Sequence, residues 1–236
     1  MADHFDAAAA ALLSLDRDAA PDAALLADAL TVTGASISTL GDFLGTETVA
    51  ASDDRAARLD ELQFDLGQGP CWDALSAAAP VLEPDLLGAG ATRWPALSDA
   101  LRDPGVAAVF AFPLVLGPLR LGAVDLYSDR AAPLGPVGEE QATALAAILS
   151  RHLLRRALRA VGQDEGVDQG SRFSRRVIHQ ATGFVIAQLG IDPDGAHLLI
   201  QGQAFAEGRS MRDVADDIVA RRLSFAASSN GFEEVR

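Results

Sequence analysis

From position 172 the chain reads RFSRRVIHQATGFVIAQLG. Arg172, Arg175 and Arg176 stand together with no acid nearby, and His179 follows within a turn. Arg209 and Arg212 come after a further apolar stretch. A guanidinium pairs phosphate bidentately and stacks on bases, so this clustering is suited to gripping a phosphate-bearing polymer. On an ideal helix Ile178, Ala181, Val185 and Leu189 share one face by the i, i+3, i+4 rule. Arg172, Arg175, Arg176 and His179 are predicted to point the opposite way. Gly183 lies on that side, where a missing side chain would let a ligand backbone come close. Arg209 is placed at a turn and Arg212 in the first turn of a following helix. The helix dipole disfavours a cation there, which hints at a role other than stability. Spacing alone also fits a solvated helix face.

Cys71, Trp72, Trp94 and Tyr127 form a second group of candidates, for sensing a ligand or a redox signal. If GPCWDAL opens a helix, Pro70 takes its first position and Cys71 lies just inside, where the helix N-terminus favours a thiolate. The two tryptophans and the tyrosine are candidates to line a pocket, with core packing as the alternative for all four. Cys71 is the single cysteine, and His4, His152, His179 and His197 show no metal-ligand spacing around it, so no metal site is expected. Cysteine–histidine hydrolysis would need a base and an oxyanion hole, and no base pairs with GQGPCWD. Phosphate-loop, dinucleotide and zinc-protease motifs are lacking, so the expectation is a protein that is not an enzyme; no cofactor can be named.

These residues need elements to hold them. HFDAAAAALLSL and PDAALLADALTV read as helices; GASISTLGD and GTETVAAS read as two short strands. RLDELQFDLGQGPCWDALSAAAP is helical, broken at Gly67 and Gly69. PVLEPD is predicted as a strand and WPALSDALRD as a helix. The run 106–129 contains two strands around the turn LGPL; the first is apolar from Val109 to Leu116, so both its faces are expected to be covered. Pro113 requires a bulge or an edge position there. A long helix follows over 137–162. Its Leu145, Leu149 and Leu153 recur at i+4 spacing and are offered as a homodimer seam, against simple packing on the sheet. QDEGVDQGS reads as a linker. Three helices close the chain. The first stops at Gly190, the second starts at Asp192 with Pro193 behind it, and the third opens on Ser210 with Asp213 three residues on and runs through Leu223.

Charge divides along the chain. The whole carries a formal charge of -14 over 236 residues, and every one of its 19 basic residues is arginine. Residues 1–165 hold 11 arginines against 24 acids, a net of -13, while residues 171–225 hold 7 against 6, a net of +1. Only the second segment does not repel a polyanion. The composition, 49% hydrophobic and 22% charged, is that of a folded protein. A single cysteine fits a reducing compartment. The acidic N-terminus is unlike a signal peptide, and no run nears the roughly 18 apolar residues of a spanning helix. A cytoplasmic location with no membrane partner is expected.

The pattern Arg175, Ile178, Ala181, Gly183; Ala196, Ile200, Ala204, Phe205; Met211, Val214, Ala215 resembles the ANTAR domain, the three-helix module of transcription antiterminators. That resemblance implies binding of RNA hairpins in leader transcripts and suppression of termination, with Arg175, Arg176, His179, Arg209 and Arg212 as RNA contacts. Two positions depart from the family: Thr182 and Gln201 stand where Lys and Arg are common, which shifts more of the load onto those arginines. The alanines of the pattern read as helix packing. Residues 20–150, through LQFDLGQGPCWDAL, RWPAL and AVFAFPLVLGPLRLGAVDLYSD, resemble a GAF domain, which implies a small-molecule sensor with an antiparallel sheet between helices. The order GAF then ANTAR is similar to that of actinobacterial regulators. The expected class is therefore an α+β sensor domain over 1–165, a linker at 166–170, an all-α RNA-binding domain over 171–225 and a flexible tail at 226–236. The alternative is a C-terminal bundle that docks a partner protein and binds no RNA.

Overall fold

The computed structural model describes residues 2–16, 19–40, 44–101, 105–162, 175–228 and 231–235. Arg172 and the expected linker at 166–170 lie outside them. The chain divides into two compact units, Met1–Phe173 and Ser174–Arg236.

Unit 1 opens with α1 (Ala2–Ser14) and α2 (Ala23–Leu30). Then come β1 (Gly34–Thr39), β2 (Glu47–Ala51), α3 (Asp54–Leu66), α4 (Pro70–Ala77), β3 (Val81–Glu83), α5 (Ala89–Arg93), α6 (Pro95–Ala100), β4 (Ala108–Leu116), β5 (Leu119–Ser128) and α7 (Pro136–Gly162). The five strands form one antiparallel sheet in the order β2-β1-β5-β4-β3. Period-two alternation divides its side chains. Ala35, Ile37, Phe110, Phe112, Val124 and Leu126 point into a core shared with α1, α2 and α7. Val109, Ala111 and Tyr127 point the other way, onto α3, α4 and α6. β4 is thus covered on both faces, as its apolar run requires.

Pro113 is accommodated because β3 is short. β3 pairs only with Val109, Phe110 and Ala111, so it does not reach Pro113 on that side. A bulge follows at once, where the β4–β5 pairing skips Leu121. Gly122 sits beside it, and a Cβ there would collide with the Ser38 carbonyl oxygen.

The leucine stripe of α7 needs correction as a dimer seam. Leu145, Leu149 and Leu153 are at most 3% exposed and belong to the core under the sheet. Their i+4 spacing marks the face that α7 buries inside its own unit.

Unit 2 contains α8 (Arg176–Leu189), α9 (Pro193–Glu207) and α10 (Met211–Val219), each in contact with the other two. The caps follow the expected chemistry. Asp192 accepts from the Gly195 amide at 2.8 Å with Pro193 at the first turn, and the Asp213 amide donates to Ser210 Oγ at 3.1 Å. Ile178, Ala181 and Val185 from α8, Ala196, Ile200 and Ala204 from α9, and Met211, Val214, Ala215 and Ile218 from α10 are all buried.

α10 stops at Val219, short of the predicted Leu223. Arg221 adopts a left-handed φ of 58°, and the Arg222 amide folds back to the Asp217 carbonyl at 2.8 Å. The tail at 226–236, expected to be flexible, instead contributes to a hairpin of β6 (Ser224–Ser228) and β7 (Gly231–Val235). Two contacts tie β6 down. Phe225 is buried, and its amide donates to Gln188 Oε1 of α8 at 3.0 Å.

Candidate functional site

The basic face of α8 is narrower than the spacing argument made it. Arg176 and His179 are exposed, and beyond its chain neighbours and its own helix backbone Gly183 meets no described atom within 4 Å of where a Cβ would stand. Arg175 corrects the prediction: it is 4% exposed and belongs to the inside. Three residues of helix turn about 300°, so Arg175 lies only about 60° from Ile178 and shares its side. It occupies the N-cap position, and its carbonyl accepts the Ile178 amide at 2.9 Å. Thr182 is half-buried, with Oγ1 donating to the Ile178 carbonyl at 2.8 Å.

Arg209 is already matched by acids. Its guanidinium reaches Glu207 at 2.8 Å, Asp217 at 2.7 Å and the Asp213 carbonyl at 3.1 Å. The hydrogen bond to Asp217 leads in raising its pKa, while those from Arg209 and then Arg222 hold the Asp217 carboxyl below its ordinary range. Arg212 and Gln201 are half-buried. His197 of α9 is half-buried; burial first, then the charge of His179 on α8, push its pKa down. The structure therefore gathers Arg176 and His179 on one open face, holds Arg209 in an acidic cage and takes Arg175 inside.

In unit 1 the four sensor candidates fall into two separate clusters, Cys71 with Trp72 and Trp94 with Tyr127. Cys71 is 1% exposed and packs with Leu40, Leu75 and Ala123, the surroundings of a small apolar residue. Trp72 Nε1 donates to the Gln63 carbonyl at 2.7 Å. Trp94 is buried in another cluster, with Nε1 donating to Asp73 at 3.2 Å and the Arg93 guanidinium 4.5 Å from its ring centre. Tyr127 is buried; its hydroxyl donates to Asp53 Oδ1 at 3.1 Å, and burial raises its pKa. It also borders a cleft of about 650 Å³ with Thr33, Arg55, Arg58 and Leu101.

The group that spacing did not reveal is a buried polar cluster between the sheet and α3. Asp60 accepts from Ser38 Oγ at 2.5 Å and from Thr48 Oγ1. Gln63 Nε2 donates to Asp125 Oδ2 at 2.7 Å, and Gln63 Oε1 accepts the Cys71 amide at 2.9 Å. Gly69 makes room for this bridge, since a Cβ at its φ of 141° would strike the Gln63 side chain. Asp125 Oδ1 and Ser36 Oγ are buried with no hydrogen-bond partner among the described residues. Burial first, then the nearby Asp60, raise the Asp125 pKa to about 8. One signal of this cluster was in view: an aspartate in the middle of LGAVDLYS, a strand otherwise apolar there.

Residues 171–219 match the ANTAR domain. No curated protein matches the chain. Among solved structures, the chain is similar to the GAF domain of an Acinetobacter phosphoenolpyruvate-protein phosphotransferase, with 14% identity over 71% of this chain and 97% of that one and a TM-score of 0.52. The cyanobacteriochrome TePixJ GAF domain matches at 21% identity over 62% and 95%, TM-score 0.48. The free methionine-R-sulfoxide reductase of Neisseria meningitidis matches at 15% over 66% and 89%, TM-score 0.46. At such identities the first likeness speaks for fold alone. The antiparallel sheet between helices and the matched C-terminal helices together make this chain a GAF-fold unit followed by an ANTAR domain.

Proposed function

We propose that the chain is a cytoplasmic, signal-responsive regulator whose ANTAR domain binds hairpin RNA in leader transcripts and so controls transcription termination. The observation that carries this reading is the open face of α8, where Arg176 and His179 flank the bare Gly183 inside the matched segment. Loop bases are the usual source of sequence specificity in RNA recognition, and they need donors and stacking groups close by. Thr182 and Gln201 add no positive charge, so the interface rests on few cations.

The GAF-fold unit supplies the input. Its buried polar cluster, with two unpartnered oxygen atoms, is where a small molecule would find hydrogen-bonding groups. The reading assigns no catalytic step to either unit. Titrating the full chain against a labelled hairpin RNA at several salt concentrations tests it. Binding should weaken with salt by about 0.7 of a log-log slope unit per phosphate contact on single-stranded segments. Absence of binding at low salt would refute it.

A second reading, docking of a partner protein, is favoured by one observation. Leu198 and Phe205 are 63% and 71% exposed and lie two turns apart on α9. Loss of RNA binding in Leu198→Ser with Phe205→Ser would place the RNA there instead. Unchanged RNA binding would leave that face for a protein.

A further inference from the structure

Asp125 stands at the centre of the sheet, opposite Ser36 on β1 and Ala111 on β4. Paired on both sides, its backbone has no freedom to carry the side chain to water. It is 3% exposed, and Asp60 is 1% exposed. The elements packed around it present Asp60 and Gln63 from α3, Ser36 and Ser38 from β1, Thr48 from β2, Ala111 from β4 and, through Gln63, the Cys71 amide that starts α4. None of these groups is a cation.

Two carboxylates in such a cluster cannot both keep their charge cheaply, because burying an unmatched ion costs several kcal/mol. Asp60 has hydroxyl donors on both oxygens. Asp125 has one amide donor on Oδ2, and its Oδ1 accepts no hydrogen bond from a described residue. The proton belongs on Oδ1, the oxygen that accepts no hydrogen bond from a described residue, on the face of the sheet that also carries Ser36.

We infer that Asp125 is a proton-binding site that governs the packing of α3 and α4 on the sheet: as a neutral acid it lets the layer close, and as a carboxylate beside Asp60 it drives the layer to admit water. Gln63 transmits the change, since one side chain holds both Asp125 and the start of α4. The raised pKa of about 8 agrees with this geometry. For an acid whose folded pKa lies above its unfolded value, stability is fully present below the unfolded value of about 3.9 and is lost as pH rises to about 8. The device therefore opens toward alkaline pH. It uses the same buried cluster that the proposed function offers to a small molecule, but needs neither that molecule nor RNA.

The test is an infrared titration of the full chain between about pH 6 and about pH 9, together with hydrogen exchange corrected for intrinsic rates. One buried carboxylic C=O band should disappear over this range in the wild type and be missing throughout in Asp125→Asn. Protection in α3 and α4 should fall at least about tenfold in the wild type, with α7 unchanged, and stay level in Asp125→Asn. A wild-type spectrum without that band at about pH 6 overturns the proposal, and does so without the variant. Equal pH dependence in wild type and Asp125→Asn overturns it as well.

Discussion

Unit 1 keeps decisive polar groups inside, and unit 2 carries its own outside. Asp60 and Asp125 are buried beneath α3, each satisfied in part by side chains from other elements. In unit 2 the carboxylate of Asp192 caps a helix and that of Asp217 pairs with arginines near the surface, and among the described residues the helix core is apolar except for Arg175. The contrast follows from the elements. A sheet covered on both faces must send every second residue into one interior or the other, so a polar strand residue is buried whatever it is. A three-helix unit has one core stripe per helix and leaves the remaining faces to solvent. Polar groups inside a sheet can respond to a proton or a small molecule; polar groups on a helix face can meet a macromolecule.

The largest effect should come from the apolar face of the sheet. Phe112→Ala should lower the unfolding free energy of unit 1 by about 3–5 kcal/mol, measured by denaturant titration. On the polar face, Gln63→Ala leaves the Asp125 carboxyl and the Cys71 amide without their shared partner. The expected loss is about 1–3 kcal/mol for each group so orphaned, and a loss below about 0.5 kcal/mol would remove the bridge from the account.

The two units should also answer pH in opposite directions. Asp125 makes unit 1 weaker as pH rises. His197, whose folded pKa is depressed by burial and by His179, makes unit 2 weaker as pH falls. For a histidine the sign is clear: stability is present above its ordinary value of about 6.5 and is lost as pH falls toward and below the depressed folded value. Thermal unfolding of residues 174–236 across that range, compared with His197→Gln, checks this; an unchanged acid response in the variant would assign it elsewhere. The smallest effect belongs to Arg209→Ala, which breaks exposed ion pairs to Glu207 and Asp217. Its unfolding midpoint should differ little from wild type, and the difference should vanish in high salt.

Much of this was legible in the sequence. The alternation of β1, the apolar run of β4 and the caps at Asp192 and Ser210 are local chemistry, and local chemistry survives folding. Arg175 was misplaced because it was grouped with its neighbour Arg176, although one step along a helix turns the side chain by about 100°. The α7 leucines were ambiguous because one i+4 stripe serves a sheet or a partner equally well. The final pairing of β6 with β7 was overlooked, because a five-residue strand carries little periodicity of its own. The cluster of Asp60, Gln63 and Asp125 was not legible, since the bond from Gln63 to Asp125 spans 62 positions and only the sheet brings them together.

The account rests most on the outward face of α8 as the RNA surface. The direct measurement is hairpin RNA binding by Arg176→Ala with His179→Ala, titrated at several salt concentrations, with circular dichroism to establish that the helices persist. Neither side chain is part of the buried core, so the variant should fold as the wild type does. The account predicts weaker binding and a log-log salt slope shallower by about 0.7 for each phosphate contact removed. Unchanged affinity and slope in the well-folded variant would contradict it and leave α8 a solvated face.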